Sequence, residues 1–124
     1  MGLKIVSFRD LDVYKRLYRL ALAVHKEILP KLPVQEKYGL RDQLNRSTKS
    51  PPALIAEGYA RRQSAKEWRK YLRDAVGECN ESVVHLLLIR DLYPKLINVS
   101  ICGNLVEEYE IAGKQLYRLG ESWK

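Results

Sequence analysis

Apolar and polar positions follow a helical spacing along almost the whole chain. Apolar residues recur every three to four positions, and no segment alternates convincingly at period two. Prolines, glycines and polar clusters interrupt this pattern, and they predict four helices over residues 8–30, 36–59, 65–93 and 99–122. Helices of similar length joined by short loops predict an all-α, up-down-up-down antiparallel four-helix bundle, with residues 1–124 as one domain.

Capping signals mark the starts of the first and third predicted helices. Ser7 can cap the first helix, and Asp10 lies near the positive end of the helix dipole. In the segment "SAKE", the Ser64 hydroxyl can accept a hydrogen bond from the Glu67 amide, while the Glu67 side chain can reach back to the Ser64 amide. We therefore expect a helix directly after each serine.

Two adjacent prolines, Pro51 and Pro52, interrupt the second predicted helix. They can either break it into two short helices or kink one continuous helix, and an interior proline costs about 3 kcal/mol or more. Small or polar residues precede the pair, namely Gln43, Ser47 and Ser50. We favour a kinked, continuous helix whose freed carbonyls accept hydrogen bonds from inside the bundle.

Charge is distributed unevenly along the chain. The net charge is +7, with +10 in residues 1–73 and −3 in residues 74–124. Three interpretations remain open: an anionic partner for one face, subunits that meet basic to acidic, and ordinary solvated helix faces.

Six basic residues fall within a stretch of 13, which we call the basic segment: Arg61, Arg62, Lys66, Arg69, Lys70 and Arg73. Positions 66, 69, 70 and 73 share one helix face, an array that can neutralise several phosphates. Three aromatic residues interleave with the segment and can stack on bases, although a core position is favoured for Trp68. Lys15, Arg16 and Arg19 can extend the surface.

Glu57 lies one to two turns after the prolines, and Glu81 faces inward if Val83 and Ala75 do not. Carboxylates that are buried need partners. Gln43 and Arg46 are the candidate partners. These four residues would form a structural polar network that fixes the register of the helices.

Residue patterns for catalysis or cofactor binding are weak. A di-iron bundle needs two Glu-x-x-His motifs, whereas Glu81 and His85 are spaced at four without a second copy. His25 lies alone in an apolar row and is interpreted as a satisfied core or interface histidine. Cys79 and Cys102 lack metal or redox spacing and are expected to be reduced thiols. We therefore expect no catalytic residues, no metal and no cofactor in a protein that is not an enzyme.

The sequence shows neither a targeting signal nor a membrane-spanning segment. The segment "MGLKIVSF" lacks the features of a signal peptide, and no apolar run approaches the roughly 18 residues needed to span a membrane. We expect a cytoplasmic protein without a membrane partner.

The stretches "FRDLDVYKRLYRLA" and "YGLRDQLNRSTKSPPALIAEGYARRQSAKEWRKYLRDAVGECNES", with the final amphipathic helix, resemble a known family. It comprises the bacterial four-helix-bundle proteins named for intervening sequences in 23S rRNA genes, whose relatives include the accessory variability proteins of diversity-generating retroelements. The chain departs from the family pattern at Pro51, Leu54 and Glu78. The resemblance implies a homopentameric barrel and, in the retroelement branch, binding of nucleic acid and of a reverse transcriptase.

The resulting prediction is a homo-oligomeric accessory protein that contacts the backbone of RNA or DNA through the basic segment. The alternative is a protein-interaction scaffold that binds an acidic protein partner without nucleic acid.

Overall fold

The computed structural model describes residues 4–123. Over this range it contains four α-helices and no strand, which confirms the predicted all-α class. The helices are α1 (Asp12–Glu27), α2 (Leu40–Ala60), α3 (Ala65–Leu92) and α4 (Val99–Ser122). Each packs against the next in the chain and α1 also packs against α4, so the four helices enclose one core.

The N-terminal region forms a 3-10 turn, Phe8–Asp10, before α1 begins. Ser7 and Asp10 close a capping box, in which Asp10 Oδ2 accepts hydrogen bonds from the amides of Ser7 at 3.0 Å and Val6 at 2.9 Å. Leu11 then adopts an extended backbone with ψ of 130°. The helix predicted from residue 8 therefore starts at residue 12, because the capping signal serves a separate short turn.

The connection between α1 and α2 is longer than predicted. α1 ends at Glu27 rather than residue 30, and two 3-10 turns, Leu29–Lys31 and Val34–Glu36, precede the start of α2 at Leu40. Glu36 occupies the predicted start of the second helix, but its side chain caps α2 from outside. Its Oε1 accepts from the Leu40 amide at 3.0 Å.

Of the two hydrogen bonds predicted for the cap at Ser64, one is formed. Ser64 Oγ accepts from the Glu67 amide at 3.2 Å, so α3 begins directly after Ser64. The Glu67 carboxylate pairs with Arg61 at 3.6 Å, and the Ser64 amide donates to the Arg61 carbonyl. The reciprocal contact of the capping box was therefore predicted wrongly, because Arg61 and not Ser64 is the partner of Glu67.

α2 continues without interruption through Pro51 and Pro52. One continuous helix is therefore correct, and the broken helix is excluded. Within residues 4–123 no side chain donates to the Ser47 or Thr48 carbonyl, which the prolines deprive of helical partners. The expected hydrogen bonds from inside the bundle to these carbonyls are not formed.

Aromatic packing stabilises the end of the bundle at which α2 meets α3. Trp68 is fully buried, and its ring packs edge-on against Trp123 at 5.4 Å and Tyr59 at 6.2 Å between centroids. Gly58 faces the same site, and its missing side chain leaves room for Trp68 and Tyr71 of α3. This packing fixes the end of α2 and the start of α3, which carry the basic segment.

Candidate nucleic-acid interface

The basic segment lies on the surface where α2 turns into α3. All six side chains belong to exposed residues. The Ser64 cap fixes where α3 begins and therefore which face carries positions 66, 69, 70 and 73. The structure thus brings the six predicted residues together at one end of the bundle.

Two of the arginines are held by contacts within the protein. The Arg62 guanidinium lies 4.0 Å from the centroid of the Tyr59 ring, and its Nη1 donates to the Tyr59 carbonyl at 2.9 Å. Arg69 Nε donates to the Gly120 carbonyl of α4 at 3.0 Å. Both side chains support the turn and the α3–α4 contact in addition to providing positive charge.

Two further cations form exposed ion pairs. Arg61 pairs with Glu67 at 3.6 Å, and Lys70 pairs with Asp74 at 3.1 Å. Exposed pairs of this kind contribute about 0–1 kcal/mol. A phosphate can therefore compete for Arg61 and Lys70 at little energetic disadvantage.

Lys66 and Arg73 differ from the other four residues. Both are exposed, and neither forms an ion pair with any residue in the described part of the chain. Their positions, seven residues apart, place them on one side of α3, about two helical turns from each other. They are the cations of the basic segment most available to an anionic partner.

A groove between α3 and α4 continues the basic segment. It comprises a cavity of about 190 Å³ lined by Arg69, Arg73 and Glu121, and a second of about 450 Å³ lined by Lys114, Arg118 and Glu110. Each cavity therefore has two cations and one carboxylate in its lining. Tyr117 lines both cavities and is 67% exposed. We call this surface the α3–α4 groove.

The α4 members of this groove, Lys114, Tyr117 and Arg118, are absent from the sequence prediction. Their spacing of three and four residues places them on one helix face, and this was the available signal. The sequence does not show that this face lies beside Arg69 and Arg73, because that proximity arises only from the packing of α3 against α4.

Of the three aromatic residues interleaved with the basic segment, none is openly available for stacking. Trp68 is fully buried, as favoured from the sequence, and Tyr59 is 9% exposed. Tyr71 is half-buried beside the charged groups of Arg61 and Lys70, at 5.8 and 5.2 Å from its ring centroid. Tyr117 is the better candidate for contact with a base.

The suggested extension through Lys15, Arg16 and Arg19 of α1 stays a prediction, and two of these residues have partners on α4. Arg16 and Arg19 both pair with Glu108 of α4, and Arg16 Nε also donates to Gln115 Oε1 at 3.0 Å. These contacts join α1 to α4. Arg16 is the more enclosed of the two, whereas Arg19 stays exposed in its pair, as Arg61 and Lys70 do in theirs.

The predicted polar network of Gln43, Arg46, Glu57 and Glu81 is not formed, since all four residues are exposed. Arg46 pairs with Asp42 at 3.6 Å, and Glu81 lies 3.6 Å from His85. The apolar stripe of α3 passes through position 82, which turns its neighbour Glu81 outward.

A pair of hydroxyl groups provides the polar contact inside the core instead. Ser47 Oγ of α2 lies 2.8 Å from Ser82 Oγ of α3, and both residues are almost fully buried. Serine is small enough to occupy a core position between two helices, whereas a glutamate carboxylate would need to lose its hydration.

Cys79 lies in the core of the bundle, whereas His25 is only half-buried. Burial, with a smaller effect from Glu78, raises the pKa of the Cys79 thiol to about 12, so this group is protonated at neutral pH. His25 is half-buried and its Nε2 has no hydrogen-bond partner among the described residues, so it is not a satisfied core histidine, and its role at an interface stays a prediction. Among residues 4–123 there is no cluster of three or more His, Cys, Asp or Glu that could hold a metal ion.

The helices of residues 4–123 include none with the length and apolar content needed to cross a membrane. The fold and the basic segment together define a small all-α protein with a cluster of exposed basic residues at one end. The family model described as 23S rRNA-intervening sequence protein matches residues 9–118. The chain belongs to this family, which confirms the resemblance to the rRNA intervening-sequence proteins. A search of curated proteins finds no match.

Proposed function

We propose that the protein is a non-enzymatic, homo-oligomeric accessory factor that binds the backbone of RNA through the basic segment and the α3–α4 groove. The observation that carries this proposal is the position of Lys66 and Arg73, two exposed cations without ion pairs, beside a groove with further cations and an exposed tyrosine. Phosphates are the natural partners of such an array.

The family description supports RNA as the nucleic acid, since it names 23S rRNA. The groove offers four cations, two carboxylates and one exposed aromatic ring, Tyr117, rather than a helix shaped for reading base edges. Such a surface recognises phosphates and shape, and it stacks on an unpaired base where one is available. We therefore expect structured RNA with unpaired nucleotides to bind better than duplex DNA.

Self-association is supported by exposed apolar side chains on α3. Val84, Leu88 and Leu92 recur every four residues and are 52%, 45% and 58% exposed. A row of large apolar side chains at helical spacing is typical of a surface that another protein covers. A second copy of this chain is the partner that the resemblance to a homopentameric family implies.

The test of RNA binding is fluorescence anisotropy with a structured RNA and a duplex DNA over a series of salt concentrations. We expect the wild type to bind RNA with a steep negative dependence of log affinity on log salt. The variant Lys66→Glu/Arg73→Glu should reduce the magnitude of that slope by about 2, because two phosphate contacts are lost.

The matched control is Lys26→Glu/Lys95→Glu, which changes the net charge equally at exposed positions outside the basic segment and the groove. We expect this control to retain most of the affinity. Equal losses in both variants would show a general charge effect and overturn the assigned surface. Absence of binding by the wild type at low salt would favour the alternative, a scaffold for an acidic protein.

A further inference from the structure

A second cationic cavity lies away from the basic segment, between the C-terminal end of α1 and the first half of α2. Its volume is about 440 Å³, within the usual range of small-molecule sites. Lys37, Arg41 and Lys49 provide three positive charges, and none of them forms an ion pair within the described residues. The cavity also contains Asp42, which pairs with Arg46 at 3.6 Å. The charges around this cavity therefore favour an anion.

Two buried polar atoms at this cavity lack partners. His25 Nε2 and Asn45 Oδ1 are shielded from solvent, and neither has a hydrogen-bond partner in the protein. Buried polar atoms are normally hydrogen-bonded, so each such exception calls for an explanation. Both residues line the cavity, so a turn of either side chain toward it would let a ligand with several polar atoms supply the missing contact.

An apolar cavity of about 320 Å³ adjoins the cationic one, and both are lined by His25 and Lys49. Its other walls include Tyr18, Leu22 and Pro52. Tyr18 and Leu22 are 53% and 58% exposed, so this wall has no covering group within the described protein. The two cavities together offer a cationic part and an apolar, aromatic part side by side.

We propose that these adjoining cavities bind a nucleoside phosphate. The phosphate monoester would lie between Lys37, Arg41 and Lys49, and the base would pack against Tyr18. After such a turn, ribose hydroxyls can donate to Asn45 Oδ1 and form a hydrogen bond with His25 Nε2. A planar base with a dianionic phosphate matches both the aromatic wall and the three charges.

The site is separate from the α3–α4 groove. Arg41 lies near the start of α2 and Arg61 directly after its end, so about 20 residues and roughly 30 Å of helix separate them. The proposal does not depend on RNA binding by the basic segment. Two sources supply the same ligand chemistry: a free nucleotide, or the 5′-phosphorylated terminal nucleotide of an RNA.

The chain has two histidines, which makes proton NMR a direct test. His25 lies in the site, whereas His85 lies on α3 beside Glu81 and serves as an internal control. We expect titration with AMP to shift the His25 ring resonances saturably and to leave those of His85 in place. Adenosine and inorganic phosphate, each with half of the ligand chemistry, should bind at least about tenfold more weakly.

The variant Arg41→Gln/Lys49→Gln should weaken AMP binding by about tenfold or more, because two charged contacts to the phosphate are lost. Lys15→Gln/Lys95→Gln, with the same charge change at exposed residues away from His25, should bind AMP like the wild type. A shift that persists in the first variant, equal shifts of both histidines, or no shift with AMP would each overturn the proposal. The variant Lys66→Glu/Arg73→Glu should bind AMP normally, which separates a failure here from a failure of the RNA proposal.

The two ligand sources are distinguished with a short RNA bearing either a 5′-phosphate or a 5′-hydroxyl. If the site binds an RNA end, the phosphorylated RNA will shift the His25 resonances at lower concentration than AMP. If the site binds free nucleotides, AMP will be the stronger ligand and the RNA end will be excluded. Either result supports the site, and shifts that are equal for the phosphorylated and unphosphorylated RNA contradict recognition of the phosphate.

Discussion

Gly58 shows how one missing side chain controls the contact between α2 and α3. A Cβ at this position would lie 2.6 Å from Tyr71 Cβ and 2.9 Å from the Trp68 ring. We expect Gly58→Ala to lower the free energy of unfolding by about 1–3 kcal/mol, despite the better helix propensity of alanine. Urea denaturation followed by circular dichroism measures this change.

Gly77 is the matched control for this prediction. It also lies within a helix, but a Cβ there meets no atom within 4 Å. Gly77→Ala should raise the free energy of unfolding by about 0.5–1 kcal/mol, since only the helix propensity changes. If both alanine variants are stabilised, close approach at Gly58 is not what requires glycine.

Glu78 is a half-buried carboxylate in an unfavourable environment. Burial raises its pKa, and hydrogen bonding with Glu81 raises it further. A raised pKa means that the folded state favours the protonated form. The resulting stabilisation is present below the unfolded value of about 4.5 and is lost as the pH rises through the folded value.

The charged form of Glu78 therefore destabilises the fold at neutral pH. We expect Glu78→Gln to raise the melting temperature at pH 7, and the difference from wild type to shrink near pH 4. Thermal unfolding at the two pH values measures this, with the exposed Glu107→Gln as control. An increase in melting temperature of equal size at both pH values would contradict an origin in the raised pKa.

At the level of helices, the sequence predicted the number and type of the elements correctly. It did not predict all of the residues at which they begin and end. Apolar spacing predicts all four helices, and Asn98 caps α4 where the fourth was expected to begin. The starts of α1 and α2 were placed about four residues early. Ser7 and Glu36 do form capping contacts, but local 3-10 turns intervene, and periodicity does not distinguish such turns from an α-helix.

The contact between α2 and α3 includes a buried hydrogen bond that can be measured as a coupling. Ser47→Ala or Ser82→Ala leaves the other hydroxyl in the core with one fewer partner, and we expect each to lower stability by about 1–2 kcal/mol. The double variant should lose less than the sum of the two, because no unpaired hydroxyl remains. Denaturant unfolding of the three variants tests this, and strictly additive losses would show that the two hydroxyls do not interact.

The basic segment could be predicted from the sequence, but the α3–α4 groove could not. The reason is that the groove depends on how the helices pack against one another. Residues close in sequence on one helix, such as Lys66 and Arg73, can be placed on a common face from their spacing alone. Pairings between helices cannot, and they determine which charges remain available. Arg16 is engaged by Glu108 of α4, whereas Lys114 joins the groove only through the packing of α4 on α3.

Assembly of several copies of the chain would increase the affinity for RNA. If α3 forms the contact between subunits, each oligomer presents several copies of the basic segment to one RNA, and the second contact occurs at high effective concentration. Leu88→Glu introduces a charge into the exposed apolar row of α3. We expect it to yield monomers with unchanged helicity that bind structured RNA about 100-fold more weakly, although every cation of the groove is retained.

Light scattering gives the mass of each species, and anisotropy at fixed salt gives its affinity for RNA. Val34→Glu is the control, because it places the same charge at an 82% exposed apolar residue outside α3 and should change neither quantity. A monomeric wild type would remove α3 as a subunit contact. Monomers of the Leu88→Glu variant that bind RNA as tightly as the wild type would instead show that one basic segment is sufficient, because avidity would then contribute nothing to the affinity.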